Sequence, residues 1–288
     1  MNKRMKGYAY LIICILLWAA IPVVTKNILD SMDVPQMLFY TSFTSLLTLS
    51  LFSLLHRVNW KRYDSLDYIH MAFLGFLGAY LYYIFLYGAL SMTTAQEGFI
   101  LAYTWPILVL VLAFLILRER ITVRKVIAIL LSFSGIIIIT TRGNMENIQL
   151  TNLFGDLLAI GGAFVFALFS ILGKKSQYDR IIAAFVYFLV ATISSFLTML
   201  LVSRLIIPSL SDLAYLLFNG ILINGLTYIW WFKALDNLET HVVSTTLYLT
   251  PFISLVYIYA FLHEEIMLSS IVGLIVIVAG IFLQIFQK

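Results

Sequence analysis

Charge is scarce in this sequence: Asp, Glu, Lys and Arg make up 11% of its 288 residues, where a soluble domain carries roughly a quarter. That shortage excludes disorder, because an open chain needs charge to stay solvated. Cysteine is nearly missing. The single Cys14 excludes a disulfide framework and any zinc site built on cysteines. The four histidines, His56, His70, His241 and His263, are dispersed, with no HExxH-like pair. An integral membrane enzyme needs clustered His, Asp or Glu, so no catalytic residues, metal or cofactor are expected. No Gly-rich turn ending Gly-Lys-Ser/Thr occurs, which argues against direct ATP drive from this chain. The net charge of +4 comes from scattered cations, so no nucleic-acid partner is expected.

What is abundant is apolar surface. Hydrophobic residues make up 62% of the chain, more than a soluble fold of this length can hide. An α-helix needs about 20 mostly apolar residues to cross a bilayer. Ten such runs lie near 7–28, 35–55, 68–90, 95–117, 123–141, 153–173, 181–203, 212–235, 240–262 and 267–286. The first follows Lys3, Arg4 and Lys6, as a signal peptide would. It is longer than a signal h-region and has no clear cleavage site, so a retained helix is expected. With ten spans, both chain ends and the even-numbered connectors share one side, which collects fifteen Lys and Arg. The other side has three, Lys26, Arg142 and Arg204. The excess of basic residues marks the cytoplasm, so both termini are expected there.

Sliding the sequence by 145 residues superposes 83–136 on 228–281 without a gap and with thirteen identities. They include Tyr83/Tyr228, Tyr103/Tyr248, Pro106/Pro251, Glu119/Glu264 and Gly135/Gly280. An offset of 148 pairs Gly7 with Gly155, Trp18 with Phe166, and Lys26 with Lys174. The expected architecture is an all-α integral membrane fold of ten transmembrane helices in two five-helix repeats, 1–143 and 152–288. Five is odd, so the second repeat enters the membrane from the opposite face. Inverted repeats recur in secondary transporters, with the substrate held near the midplane between them.

The run Ala89-Leu90, Pro106, Leu117, Glu119 and Gly135, repeated in the second half, resembles the EamA family of the drug/metabolite transporter superfamily. Trp18 to Lys26 and the Glu-bearing turns after the fourth and ninth spans do so too. The resemblance implies ten helices, cytoplasmic termini and a central cavity lined by helices 1, 3, 4, 6, 8 and 9. It also implies a carrier of amino acids or other metabolites, and a bacterial plasma (inner) membrane location.

Residues three, four and seven apart share a helix face, and lipid cannot satisfy polar groups. Polar and aromatic stripes should therefore face inward. Candidate substrate-binding residues are Trp18, Tyr80, Tyr83, Tyr87, Gln96, Glu97, Tyr103, Phe166, Asn224, Tyr228, Trp231, His241, Ser244 and Tyr248. Tyr and Trp also anchor helices at membrane interfaces, so packing competes with binding at each aromatic. Glu97 is the sharpest position: an ionisable group within a span, able to hold a cation or a coupling proton, or to sit at the interface near a helix start. Lys26 and Lys174 are expected to complement helix ends. Glu119 and Glu264 are expected to cap the following helix or pair with Arg. Pro106 and Pro251 should kink their helices. The functional reading is a secondary active or facilitative transporter for amino acids or similar small metabolites, working by alternating access toward export. The alternative is efflux of cationic or aromatic drug-like compounds. Its partners would be a small-molecule substrate, the lipid bilayer and a coupling proton, with the chain a monomer or homodimer.

Overall fold

The computed structural model describes residues 3–117, 152–238 and 249–285, with single positions at 127, 130, 131, 134, 135, 138, 243, 246 and 247. Helices are its only regular elements among the described residues. We number them α1 (Lys3–Leu29), α2 (Val34–Leu55), α3 (Ser65–Met92), α4 (Ala95–Ala102), α5 (Trp105–Leu117), α6 (Leu153–Lys175), α7 (Arg180–Val202), α8 (Leu210–Asn237), α9 (Leu249–Leu262) and α10 (Leu268–Ile285). Six of these, α1–α3 and α6–α8, are long and apolar enough to cross a membrane, and α9 and α10 are shorter apolar helices. The run expected at 123–141 lies mostly outside the described residues.

The expected single span at 95–117 is broken. α4 ends at Ala102 and α5 begins at Trp105, with Tyr103 and Thr104 turning between them. Pro106 explains the break, since it has no N–H to give the carbonyl four residues back and its ring crowds that carbonyl. Pro251 is the third residue of α9. Tyr248, just before that helix, lies outside the described residues.

Helix starts are written locally. Asp33 and Asp64 accept the backbone N–H of Gln36 and Asp67 at 3.0 and 2.9 Å, each closing a reciprocal capping box. Ser209 does the same with Asp212 at 3.2 Å. These caps recur at fixed spacing: Asp64 and Ser209 differ by 145, and Asp33 and Asp179, the cap of α7, by 146. α3 and α8 also start and end 145 residues apart. Both contain a π-helical stretch, Phe76–Leu81 in α3 and Phe218–Leu226 in α8.

α2 packs along α7, α3 along α6, and α1 against the second half of α8. Small residues allow the closest approaches, as expected where lipid rewards tight packing rather than apolar burial. A Cβ on Gly75 would lie 2.5 Å from the Tyr187 Cα of α7, and one on Gly220 2.8 Å from the Thr41 carbonyl of α2. Gly75 and Gly220 are 145 apart, and Thr41 and Tyr187 are 146 apart. The same contact is thus made twice.

Candidate functional site

The π-helical stretches bring the middle of α3 and α8 to the bundle centre. Widened turns misalign the intrahelical ladder, and their carbonyls are taken by side chains from across the bundle. The Tyr228 hydroxyl donates to the Gly78 carbonyl at 2.5 Å, and Ser45 Oγ donates to the Gly220 carbonyl at 2.7 Å. Gly78 is required here, because a Cβ would sit 2.4 Å from the Phe169 ring.

Around this crossing lies one continuous aromatic group. Trp18 of α1 has its ring centroid 5.4 Å from Trp231 of α8 and 6.4 Å from Phe166 of α6. Trp105, buried just after the break between α4 and α5, meets Phe166 edge-on at 5.1 Å and Trp231 at 5.8 Å. Tyr82 lies 4.5 Å from Phe166, and Tyr103 6.4 Å from Trp105. These edge-to-face and tilted arrangements are the favoured ones for ring quadrupoles. Trp18, Ile21, Tyr82, Tyr83, Tyr103, Trp105 and Phe166 line a small cavity of about 10 Å³, room for about one water.

Polar groups are interleaved with the rings. Trp18 Nε1 donates to Thr227 Oγ1 at 3.2 Å, and Thr227 Oγ1 donates in turn to the Ile223 carbonyl. Tyr87 donates to Asn219 Oδ1 at 3.3 Å and accepts from Asn224 Nδ2 at 3.5 Å. Three buried polar atoms of this region have no hydrogen-bond partner: Trp231 Nε1, Asn219 Nδ2 and Asn224 Oδ1. Buried polar atoms are almost always satisfied, so these three stand out at the bundle centre.

Trp18, Tyr83, Tyr87, Tyr103, Phe166, Asn224, Tyr228 and Trp231 are thus brought together. Tyr80 is not. It is half-buried on another face of α3, where its hydroxyl pairs with Thr198 Oγ1 at 2.5 Å and its ring stacks near Phe76. His241, Ser244 and Tyr248 lie outside the described residues, as does Glu119. Periodicity alone passed over Tyr82, Trp105, Phe169 and Asn219. Trp105 could have been found from Pro106, because a proline break swings the preceding residue off its stripe.

Gln96 and Glu97 sit at one end of the bundle rather than among the rings. Gln96 Nε2 donates to the Glu265 carbonyl at 2.9 Å, and its Oε1 accepts from Ser270 Oγ at 3.0 Å. Gln96 therefore ties α4 to the start of α10. Glu264 caps α4, accepting Ala95 N–H at 3.1 Å, not the helix that follows it in sequence. Lys26 Nζ donates to the Thr93 carbonyl at 2.7 Å, closing the end of α3 rather than of its own helix. Glu97 is buried in the first turn of α4, its N–H held by Thr94 Oγ1 at 3.2 Å.

The opposite end is tied by Arg180. Its guanidinium bonds both Asp236 oxygens at 2.9 and 3.2 Å, reaches the Gly173 and Ser176 carbonyls, and lies 4.8 Å above the Phe232 ring. Fork geometry and a stacked face suit arginine and not lysine.

The profile of an EamA-like transporter family matches the chain twice, over 5–141 and 153–286. A protein of Archaeoglobus fulgidus named as an uncharacterized transporter is 28% identical over 287 residues, covering 96% of each chain. The uncharacterized transporter YoaV of Bacillus subtilis is 28% identical over 221 residues, 74% of this chain and 72% of its own. A solved crystal structure superposes with a TM-score of 0.74 at 19% identity, over 98% of this chain and 96% of that one. At that identity the likeness speaks for the fold alone.

Proposed function

For a chain that belongs to the EamA-like transporter family, and so is a multi-pass membrane transporter rather than an enzyme, we propose a secondary carrier, active or facilitative, that exports amino acids or similar small metabolites across the bacterial plasma membrane. Ten spans in two inverted five-helix repeats, with both termini cytoplasmic, are part of the proposal. The duplicated family match, the capping pattern at a spacing of 145 and the paired Gly75 and Gly220 contacts support the repeat. The distribution of Lys and Arg supports the orientation.

The observation that carries the substrate reading is the central group of rings with an unfilled donor on Asn219 and an unfilled acceptor on Asn224. A solute bearing both acceptor and donor groups on a small apolar body, as an amino acid does, answers that set. Space for about one water means a closed conformation. Lys26 and Gln96 close one end and Arg180 the other. Release of one tie at a time gives alternating access, and the break at Tyr103–Thr104 supplies a hinge. In proteoliposomes, labelled amino acids should run down their gradient and exchange with unlabelled solute inside. No flux across a broad panel of small metabolites sinks this reading.

A second reading, efflux of cationic or aromatic compounds, draws on the Trp18, Trp105 and Trp231 faces together with buried Glu97. Transport of every cationic candidate untouched by Glu97→Gln would remove it.

A further inference from the structure

The end of the bundle away from the N-terminus holds a second cavity, of about 470 Å³, between the last turn of α1, the first turn of α2 and the end of α3. That volume is ordinary for a small-molecule site, whereas the central rings leave room for about one water. Its polar lining is Lys26, Asp30, Ser31, Asp33 and Ser91. Three of these are committed within the protein. Asp33 accepts the Gln36 N–H at 3.0 Å and the Ser203 hydroxyl. Ser31 donates to Asp212 Oδ1 at 2.8 Å, and Ser91 to the Gly88 carbonyl at 2.7 Å.

Lys26 and Asp30 are left, and they are of opposite sign. Lys26 spends one N–H on the Thr93 carbonyl at 2.7 Å, and an ammonium has three. Among the described residues the Asp30 carboxylate meets no hydrogen-bond donor; the Asp30 N–H alone is used, on the Lys26 carbonyl at 3.2 Å. Asp30 keeps helical backbone angles, φ −67° and ψ −26°, so it shares a face with Lys26 one turn earlier, their Cβ atoms about 5–6 Å apart. A Lys ahead of an acid is the poorer order for a helical ion pair, and the ammonium turns to Thr93 instead. Asp30 also sits at the negative end of α1, where a carboxylate opposes the helix dipole, so the helix gains nothing from it. Glu264, the other acid whose charge reaches Lys26, is committed to the Ala95 and Gln96 N–H groups at 3.1 and 3.5 Å.

We propose that this cavity binds a zwitterionic α-amino acid, its carboxylate on the Lys26 ammonium, its ammonium on the Asp30 carboxylate, and its side chain against Met32 and Leu90 of the same cavity. A lone anion would face Asp30 and Asp33, and a lone cation would face Lys26, so the lining rejects either and admits a solute that carries both charges. The solute carboxylate also competes with the neutral Thr93 carbonyl for the ammonium, and the charge-assisted bond is the stronger. Occupancy therefore loosens the tie that closes the end of α3. The proposal deepens the transporter reading and rests on it for that consequence; the binding itself follows from the cavity.

The test titrates the full-length protein in lipid nanodiscs at about pH 7, where an α-amino acid is a zwitterion, by calorimetry with leucine, isoamylamine and isocaproate. The second probe lacks the carboxylate of leucine and the third lacks its ammonium. Each should bind at least about tenfold more weakly than leucine, the loss expected for one charge-assisted hydrogen bond. Asp30→Asn should erase the preference for leucine over isocaproate, and Lys26→Met the preference for leucine over isoamylamine. Glu265→Gln, an exposed carboxylate on the same end but outside the cavity, should keep both. Should Lys26→Met fail to fold, Asp30→Asn carries the test, because Asp30 is exposed. No binding of leucine, equal binding of all three probes, or an Asp30→Asn variant that still prefers leucine over isocaproate as the wild type does overturns the proposal. Selective binding without flux in proteoliposomes would sink the transporter reading and leave this site standing; flux with the preference unchanged in Asp30→Asn would do the reverse.

Discussion

Replacing Gly75 or Gly220 with alanine should damage this protein twice over in the same way. In each case the added methyl meets backbone of a neighbouring helix: the Tyr187 Cα at 2.5 Å for Gly75, the Thr41 carbonyl at 2.8 Å for Gly220. Thr44 Oγ1 also stands 1.7 Å from the second methyl, held by the Tyr40 and Thr41 carbonyls. Ordinary contact between such atoms is about 3.5–4.0 Å, so each pair of helices must part by about 1 Å. Backbone cannot rotate away as a side-chain tip can. Overpacking of this kind costs about 1–3 kcal/mol, and α3 or α8 regains at most about 1 kcal/mol from losing a glycine. The net effect is destabilising. Gly88→Ala is the control: its methyl meets only the flexible Leu158 Cδ1, at 3.1 Å, so it should be neutral or stabilising by up to about 1 kcal/mol. Thermal unfolding of the three variants in detergent, followed by tryptophan fluorescence and by size-exclusion recovery, measures the order. Gly75→Ala or Gly220→Ala melting at or above Gly88→Ala would refute the reasoning, because it would mean that α3–α7 and α8–α2 are not in backbone contact.

Three further outcomes follow from the same geometry. Pro106→Ala restores an N–H that can reach the Ala102 carbonyl, so the protein should melt higher by about 1 kcal/mol or more, while the transport rate falls as the hinge stiffens; an unchanged rate would show that the break is not used. Trp18→Phe removes the donor to Thr227 and should cost about 1–2 kcal/mol in solute affinity or stability, read as separate changes in KM and melting temperature. Lys26→Met frees the Thr93 carbonyl at the end of α3 and should speed exchange from that side while lowering the melting temperature; a variant with both values at the wild-type level would remove Lys26 from the closure.

The long apolar helices were legible in the sequence because lipid imposes a length and a composition. The run expected at 153–173 is α6, Leu153–Lys175, and the run at 68–90 is α3, Ser65–Met92. Caps were read less well: the expected one at Glu264 serves α4 instead of the helix that follows it, and the local box of Asp64 with Asp67 was not among the expectations. The site was legible in part. Stripes named Trp18, Phe166 and Trp231, whose rings meet, since inward faces repeat every three or four residues. The stripes failed where the helix is not regular. In the π-helical stretches each residue advances less than an α-helical step. Asn219 was missed there, and Tyr80, placed by a plain α count, points to α7. Past the Pro106 break, Trp105 left the stripe that its neighbours suggested.

The sequence by itself determined that lipid is this chain's solvent and that its two halves share a pattern, because composition and spacing are properties of the chain alone. Only the tertiary structure decided which side chains meet. Lys26 and Glu264 serve helix ends remote from them in sequence, and Gly78 offers its carbonyl to Tyr228. Those pairings depend on helix rotation and on breaks in the backbone ladder, and no local pattern encodes them.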